Sequence, residues 1–156
     1  IQVGVGTVLC LKIYDHLRTL KPSRETAEAA MRAFSPAQWE QTVRRVFGQA
    51  AQTLIDSENN DWHKNDPARH SERLEKILSH WDEITGIMAE ELPDTASILS
   101  LMRSLRMPMR PDEIGEDEQD TRDAFLCSRD IRDKYLTSSL LWDLGLLESF
   151  PLDTRG

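Results

Sequence analysis

Hydrophobic residues follow a helical period along most of this 156-residue chain. Between Leu74 and Met88, and again between Ile98 and Leu105, apolar residues recur on one face of a helix. The period-2 alternation that marks a strand lasts no longer than Val3 to Val5. The pattern therefore predicts an all-α fold, a multi-helix bundle of roughly six to eight helices joined by short links.

Capping residues set the helix boundaries in the first part of the chain. The first helix is expected to end near Leu20, and its nearly all-round apolar surface predicts burial. Ser23 and Ser35 each offer a side-chain oxygen that accepts from the first turn of a following helix. Pro36, directly after Ser35, fits the opening position of the third helix, where no N–H donor is needed.

The same signals predict the elements in the rest of the chain. Polar residues 57–66 predict a loop, and the apolar period from 66 to about 92 predicts the longest helix. Asp94 is expected to cap the next helix. Further helices are predicted over 121–134 and around 140–147.

Length and charge limit the classes of protein that fit. A chain of this length fits one domain, which we expect over residues 1–148, with a tail at 149–156. No apolar run approaches the ~18 residues of a membrane-spanning helix. The net charge of −8 argues against nucleic acid and anionic membranes as partners.

Cysteine and histidine usage assigns no metal site within the chain. Cys10 and Cys127 lack the spacing of a zinc motif or a disulfide framework. We expect both to be buried thiols in a reducing compartment, which predicts a cytoplasmic protein. The histidines form no i, i+4 pair with a completing acid. They are His16, His63, His70 and His80.

Two short patterns are candidates for ligand chemistry. Gly4-Val5-Gly6-Thr7 lacks the preceding strand and third glycine of a dinucleotide fingerprint. Its small residues suit either close packing of a helix start or the approach of an anion to that helix end.

The second pattern is a basic cluster formed by Arg129, Arg132 and Lys134, interleaved with Asp130 and Asp133. Helical spacing places Arg129 and Arg132 on adjacent turns of one face. The cluster suits either a phosphate site or a salt-bridged helix surface.

Three stretches carry a resemblance to a known family. They are residues 2–7 (Gln-Val-Gly-Val-Gly-Thr), 128–137 (Ser-Arg-Asp-Ile-Arg-Asp-Lys-Tyr-Leu-Thr) and 140–147 (Leu-Leu-Trp-Asp-Leu-Gly-Leu-Leu). In this order they resemble the sn-glycerol-1-phosphate dehydrogenases, in their AraM-like branch, of the dehydroquinate-synthase and iron-alcohol-dehydrogenase superfamily. The resemblance implies the all-helical, metal-side C-terminal domain of that superfamily.

The resemblance also implies an activity for a longer parent enzyme. Such an enzyme binds NAD(P)H in an N-terminal α/β domain and reduces dihydroxyacetone phosphate to sn-glycerol 1-phosphate. A zinc or nickel ion polarises the ketone. The family's metal ligands, one Asp and two His, are expected upstream of Ile1, so no metal ligand and no cofactor-binding residue is assigned here. The implied partners are the missing nucleotide-binding domain and a second copy in a homodimer.

The resemblance places a few residues beside the substrate of the parent enzyme. They are Gln2, Gly4, Gly6, Thr7, Arg129, Arg132 and Lys134. By itself this chain is expected to show no dehydrogenase activity. Two alternatives stay open: a stand-alone helical association module without catalysis, and part of a sister glycerol dehydrogenase or dehydroquinate-synthase-like enzyme.

Overall fold

The computed structural model describes residues 2–154, and no residue in that range lies in a strand. This confirms the prediction of an all-α, multi-helix fold. The α-helices are α1 (Gln2–Thr19), α2 (Arg24–Ala33), α3 (Pro36–Phe47), α4 (Ala51–Ser57), α5 (Pro67–Ser79), α6 (Trp81–Glu91), α7 (Thr95–Ser104), α8 (Glu118–Cys127) and α9 (Thr137–Asp143). Short 3-10 turns lie at Gly48–Ala50, Pro111–Ile114 and Ser128–Asp130, and a π-helical turn lies at Glu58–Trp62.

The chain divides into two compact units. Within the described range, unit 1 comprises residues 2–21, 80–122 and 151–154, and unit 2 comprises residues 22–79 and 123–150. The expected single domain over 1–148 stays a prediction. Phe150, in the segment expected to be a tail, is buried in unit 2 with its ring centroid 5.8 Å from that of Phe125.

Three helix starts form as the capping residues predict. The Ser23 hydroxyl oxygen accepts from the backbone N–H of Thr26, and the Ser35 hydroxyl oxygen accepts from that of Gln38. In α7 the Asp94 carboxylate accepts from the Ser97 N–H at 2.8 Å. Each cap satisfies a backbone donor of the first turn, so each boundary is fixed by interactions within four residues.

Unit 1 is organised around one face of α1, which packs on α6 and α7. Close to its start, a Cβ added to Gly4 would lie 3.0 Å from Met102 Cε, so the absence of a side chain allows tight packing there. Away from this face of α1, Val3 is 82% exposed and Cys10 is exposed. The prediction of a buried Cys10 thiol was therefore wrong. The buried residues of α1 are Val5, Val8, Leu11, Ile13 and Leu17.

Unit 2 is built around α5, which packs on α2 and α9. Leu74 of α5 and Leu141 of α9 are both almost fully buried. A second apolar cluster joins α3 and α4, where Val43, Ala51 and Ile55 are buried. These contacts fix α5 and α9 relative to each other, and the candidate site described below depends on both.

The prediction of a single long helix from 66 to about 92 was wrong. The chain leaves helical geometry at His80 (φ −119°, ψ 21°), so the segment forms two helices, α5 and α6. The Ser79 hydroxyl donates to the carbonyls of Glu75 and Lys76, which competes with continued helix. Beyond the break, the Trp81 indole N–H donates to the Leu20 carbonyl within unit 1. The apolar period continues across the break because α5 and α6 each bury one apolar face.

Two further boundaries differ from the prediction. The polar segment 57–66 is helical through Trp62, since the Glu58 side chain is buried and accepts from the Asn65 N–H at 2.6 Å. The helix predicted over 121–134 ends as α8 at Cys127. Within and just after the 3-10 turn, the carbonyls of Arg129 and Arg132 accept from the Lys64 ammonium instead of continuing a helix.

Among the described residues, no helix is both long and apolar enough to cross a lipid bilayer.

We predict that Gly145→Ala destabilises the protein by about 3 kcal/mol. Gly145 has φ +72°, and an added Cβ would lie 2.8 Å from both Ala30 Cβ and the Thr26 carbonyl oxygen. Gly86 in α6 is the matched control, because an added Cβ meets nothing within 4 Å there. Gly86→Ala is expected to stabilise by up to about 1 kcal/mol. Urea denaturation of both variants measures these changes, and equal effects would contradict the packing argument.

Candidate functional site

The candidate residues at the start of the chain lie in the first turns of α1 in unit 1. Gln2, Gly6 and Thr7 are exposed, and the Thr7 hydroxyl donates to the Val3 carbonyl at 2.9 Å. Gly4 packs against Met102 and Met107. The contacts found for Gly4 and Thr7 are thus local to unit 1 and involve no ionisable side chain.

The basic candidates at the end of the chain lie in unit 2, in surroundings that differ from a helix surface. The prediction that Arg129 and Arg132 lie on adjacent turns of one helical face was wrong, because α8 ends at Cys127, before both residues. Arg129 is only 3% exposed, whereas Arg132 and Lys134 are exposed. The interpretation of Arg129 as part of a salt-bridged surface was also wrong.

The Arg129 guanidinium lies over the Trp142 ring, with Cζ 4.2 Å from the ring centroid. It donates to the Asn65 side-chain oxygen at 3.0 Å and pairs with the Asp130 carboxylate at 3.6 Å. Burial lowers the pKa of this guanidinium, while the Asp130 and Glu58 carboxylates oppose the shift. The Nε–H of Arg129 is buried without an acceptor among the described residues, which leaves a charged group with an unused donor.

The segment from Glu58 to Asp66 holds Arg129 in place through several polar contacts. Lys64 Nζ donates to the Arg129 carbonyl at 2.7 Å and to the Arg132 carbonyl at 2.6 Å. The same ammonium lies 4.5 Å from the centroid of the Trp62 ring. Burial and the neighbouring Arg129 lower the pKa of Lys64. Two cations are thus held close together by carbonyl oxygens, aromatic rings and buried carboxylates.

Asp143, at the end of α9, is the counter-charge of the Arg73 guanidinium and is 1% exposed. Its two oxygens accept from Nε and a terminal nitrogen of Arg73, with the closest distances at 2.9 Å. The Tyr135 hydroxyl donates to the same carboxylate at 2.8 Å. Burial raises the pKa of Tyr135, and the Asp143 charge raises it further.

His70 has a structural role in this arrangement. Its Nε2 lies 2.9 Å from the Asp143 carbonyl oxygen, and its ring stands edge-on to Trp142 at 5.4 Å.

Within the range that the structure describes, no three His, Cys, Asp or Glu side chains are placed to hold a metal ion. These residues therefore do not fit the zinc or nickel ion that the resemblance implies for the parent enzyme.

Two hollows of unit 2 share Arg129 and Trp142 in their walls. The smaller one, about 170 Å³, is here called the basic depression, because five basic and two acidic side chains line it in a chain of net charge −8. Its lining residues are Trp62, Lys64, Arg69, Arg73, Arg129, Asp133, Lys134, Tyr135, Ser139, Trp142 and Asp143. Of the basic sequence candidates, Arg129 and Lys134 line it and Arg132 does not.

The larger hollow, about 310 Å³, is here called the apolar cavity. Its lining residues are Ala30, Met31, Ala33, Phe34, Ser35, Gln38, Trp39, Thr42, His70, Leu126, Cys127, Arg129, Asp130, Trp142, Gly145, Leu147, Glu148 and Ser149. Cys127 is 2% exposed, as its sequence context predicted. Burial raises the pKa of this thiol to about 11, with Asp130 and Asp123 adding to the shift.

Sequence reasoning missed Lys64, Arg73 and Asp143 as members of this site. Asp143 was visible as a single acid within the apolar run of α9, which is a signal for a buried ion pair. Arg73 and Lys64 carried no comparable signal, because their partners lie more than 60 residues away in sequence.

Comparison with known proteins leaves the family open. No protein-family model, no curated protein and no solved structure matches the chain. The resemblance to the glycerol-1-phosphate dehydrogenases therefore stays a sequence-based prediction. The class of protein established by the fold is an all-helical one with a buried charge network in unit 2.

We predict that Asp143→Asn lowers the free energy of unfolding by about 3 kcal/mol, because it leaves the partly buried Arg73 cation without its counter-charge. Asp153→Asn is the matched control, since Asp153 pairs with Lys12 at 3.0 Å on the surface. That change is expected to cost less than about 1 kcal/mol. Chemical denaturation of both variants makes the comparison, and similar losses would show that the buried pair has no special weight.

We also predict that Cys127 makes stability fall at alkaline pH. An ordinary thiol ionises near 9, and in the folded protein the pKa is about 11. The unfolded chain therefore releases this proton first, and the free energy of unfolding decreases as pH rises from 9 towards 11. Between about pH 8 and pH 10 the wild type should lose about 1 kcal/mol more than Cys127→Ala. If the free energy of unfolding had the same pH dependence in the wild type and in Cys127→Ala, the raised pKa assigned to Cys127 would be contradicted.

Proposed function

We propose that the basic depression of unit 2 binds the phosphate group of a small metabolite. We further propose that the chain is the helical domain of an NAD(P)-dependent oxidoreductase that reduces dihydroxyacetone phosphate to sn-glycerol 1-phosphate. The first proposal concerns residues within unit 2 alone. The second adds the sequence resemblance and the parts that a parent enzyme would contribute.

The observation that carries the first proposal is the state of Arg129. A buried guanidinium with an unused donor is costly unless an acceptor is supplied. Stacking on Trp142 and the bond to Asn65 fix its plane, so little side-chain entropy is lost when an anion binds. A planar, pre-positioned guanidinium suits the oxygens of phosphate better than a mobile ammonium does.

The charge around Arg129 supports the same proposal. Lys64 and Arg73 approach closely enough to be affected by its charge, and Lys134 lines the same depression. A dianionic phosphate placed among these cations would relieve their mutual repulsion. The acidic lining residues, Asp133 and Asp143, are outnumbered, and Asp143 is already engaged by Arg73 and Tyr135.

The overlap between the depression and the resemblance supports the second proposal. The closing stretches at 128–137 and 140–147 supply six of the eleven lining residues: Arg129, Asp133, Lys134, Tyr135, Trp142 and Asp143. The stretches that resemble the family thus contribute just over half of the lining of the basic depression and two of its five cations, Arg129 and Lys134. In the proposed enzyme the nucleotide would supply the hydride, and this chain's residues would hold and orient the phosphate of the substrate.

We predict that inorganic phosphate and glycerol 1-phosphate bind to unit 2 and shift NMR signals of Trp142 and Asn65. Lys134→Gln is expected to weaken binding about threefold, and Arg129→Gln about tenfold, because each removes a charged donor. Lys76→Gln is the matched control, since Lys76 is an exposed lysine of α5 outside the depression. It should leave affinity unchanged apart from the general loss of charge.

The outcomes separate clearly because Lys134 is exposed, so its substitution is expected to leave the fold intact. Equal weakening by Lys134→Gln and Lys76→Gln would reduce the effect to non-specific charge and contradict the site. Absence of any phosphate-dependent shift would do the same.

The oxidoreductase proposal is tested on the native gene product. Its intact mass, its zinc and nickel content, and its NADH-dependent reduction of dihydroxyacetone phosphate are measured on one sample. Turnover by a metal-containing species roughly twice this length or more would support the proposal. A native product that ends where this sequence ends, begins at Ile1, and shows neither metal nor turnover would overturn it.

The alternative of a non-catalytic association module is favoured by one observation in unit 1. Val3, Leu101, Leu105 and Ile87 are between 54% and 82% exposed, and exposed apolar residues of this size are common at contact surfaces. The same native sample distinguishes the two functions. An association module would form oligomers, detected by light scattering, and would show neither phosphate binding nor turnover.

A further inference from the structure

The apolar cavity of unit 2 is lined by large apolar side chains that the fold leaves only partly buried. They are Met31, Phe34, Trp39, Leu126 and Trp142, and each is half-buried. Removing apolar surface of this kind from water is favourable in proportion to the area that is covered. A ligand that fills the cavity therefore gains most of its affinity from contact with these side chains.

The volume of the cavity sets the size of its ligand. An apolar cavity of about 150 Å³ holds one benzene molecule, and this cavity measures about 310 Å³. Two fused six-membered rings therefore fit, whereas a single ring leaves about half of the space unfilled. Gln38, Glu148 and Ser149 are lining residues that are exposed, so they mark the mouth through which a ligand enters.

Polar side chains of the wall are already bonded within the protein. The Ser35 hydroxyl oxygen accepts from the backbone N–H of Gln38, and the Thr42 hydroxyl donates to the Gln38 carbonyl. His70 is bonded through Nε2 to the Asp143 carbonyl oxygen. A polar group buried with the ligand would compete with these bonds or stay unpaired, which is costly. The wall thus favours a ligand that is apolar where it is buried.

The charges that line the cavity favour a neutral ligand. Arg129 pairs with Asp130 at 3.6 Å, and Asp130 also takes a hydrogen bond from the Trp39 indole. Glu148 adds a second acid at the mouth. An anionic ligand would meet two acids and one guanidinium that is already paired, so its charge would be repelled.

The aromatic walls distinguish between ligands of equal size. Phe34 and Trp142 meet edge-to-face, with ring centroids 5.7 Å apart and planes at 87°, and Trp39 lines the same cavity. An aromatic ring placed against these walls makes stacked or edge-to-face contacts that a saturated ring cannot make. Aromatic compounds are therefore favoured over saturated ones of the same shape.

From these observations we infer that the apolar cavity binds a neutral aromatic compound of two fused rings. The rings pack against Phe34, Trp39 and Trp142, and a polar substituent of the ligand lies at the mouth. This site is additional to the proposed phosphate site, and its occupation does not require phosphate to bind in the basic depression.

The test compares four compounds that share a ring with one polar substituent. 2-Naphthol is neutral, aromatic and has two fused rings; decahydro-2-naphthol is saturated, phenol has one ring, and 2-naphthoate is an anion. Binding to the full chain is measured by ligand-observed NMR. 2-Naphthol is expected to bind about threefold more tightly than decahydro-2-naphthol. It should bind at least about tenfold more tightly than phenol or 2-naphthoate.

The two cysteines report whether 2-naphthol occupies this cavity. Cys127 lines the cavity and is 2% exposed, whereas Cys10 lies in unit 1 and is exposed. At ten times its Kd, 2-naphthol leaves the cavity empty for about one-tenth of the time. Alkylation of Cys127 by N-ethylmaleimide is then expected to slow about tenfold, while that of Cys10 stays unchanged. Peptide mass spectrometry measures both rates on one sample.

Two substitutions test the location independently of the cysteines. Thr42→Leu fills part of the cavity and should weaken 2-naphthol binding about tenfold. Thr85→Leu is the matched control, because Thr85, like Thr42, bonds its hydroxyl to the carbonyl four residues earlier but lies outside the cavity. It should leave 2-naphthol binding unchanged.

Several results would overturn the inference. Tighter binding of 2-naphthoate than of 2-naphthol would assign the cavity to anions, and equal binding of decahydro-2-naphthol would remove the preference for aromatic rings. Equal slowing at Cys10 and Cys127, or equal effects of Thr42→Leu and Thr85→Leu, would place the ligand elsewhere. Binding of none of the four compounds to a protein that is folded by circular dichroism would leave the cavity without the proposed ligand class.

Discussion

The burial of the Arg129 cation is the constraint on which the rest of unit 2 depends. A charge removed from water is stable only when other groups replace its hydration. Trp142 provides a ring face, Asn65 an acceptor, and Asp130 a counter-charge. Each of these residues must then be held in turn, which explains why the chain between α4 and α5 folds back over residues 129–132.

The same requirement explains which parts of the fold the sequence could predict. The starts of α2, α3 and α7 depend on Ser23, Ser35 and Asp94, whose hydrogen bonds span three residues, so local pattern was sufficient. The end of α8 and the break at His80 depend on partners far away in sequence. An apolar period cannot reveal a break when the residues on both sides of it are buried in different cores.

The candidate site was predictable to a similar extent. The basic cluster in the sequence indicated Arg129 and Lys134 as candidates for a phosphate site, and both line the basic depression. Their neighbour Arg132 offers its carbonyl to Lys64 instead, because the backbone there is not helical. Arg73 and Asp143 were missed, since their contact joins residues 70 apart and appears only after α5 and α9 have packed.

The order of segments along the chain has a consequence for synthesis. Unit 2 needs residues 22–79 and 123–150, and the central part of unit 1 is inserted between them. A nascent chain leaving the ribosome therefore carries α5 without the α9 side of its packing, and Arg73 without the Asp143 carboxylate, until α9 has emerged. During that interval the apolar side of α5 is accessible to holding chaperones and to neighbouring nascent chains. Slower translation of the segment between the two helices would lengthen that exposure.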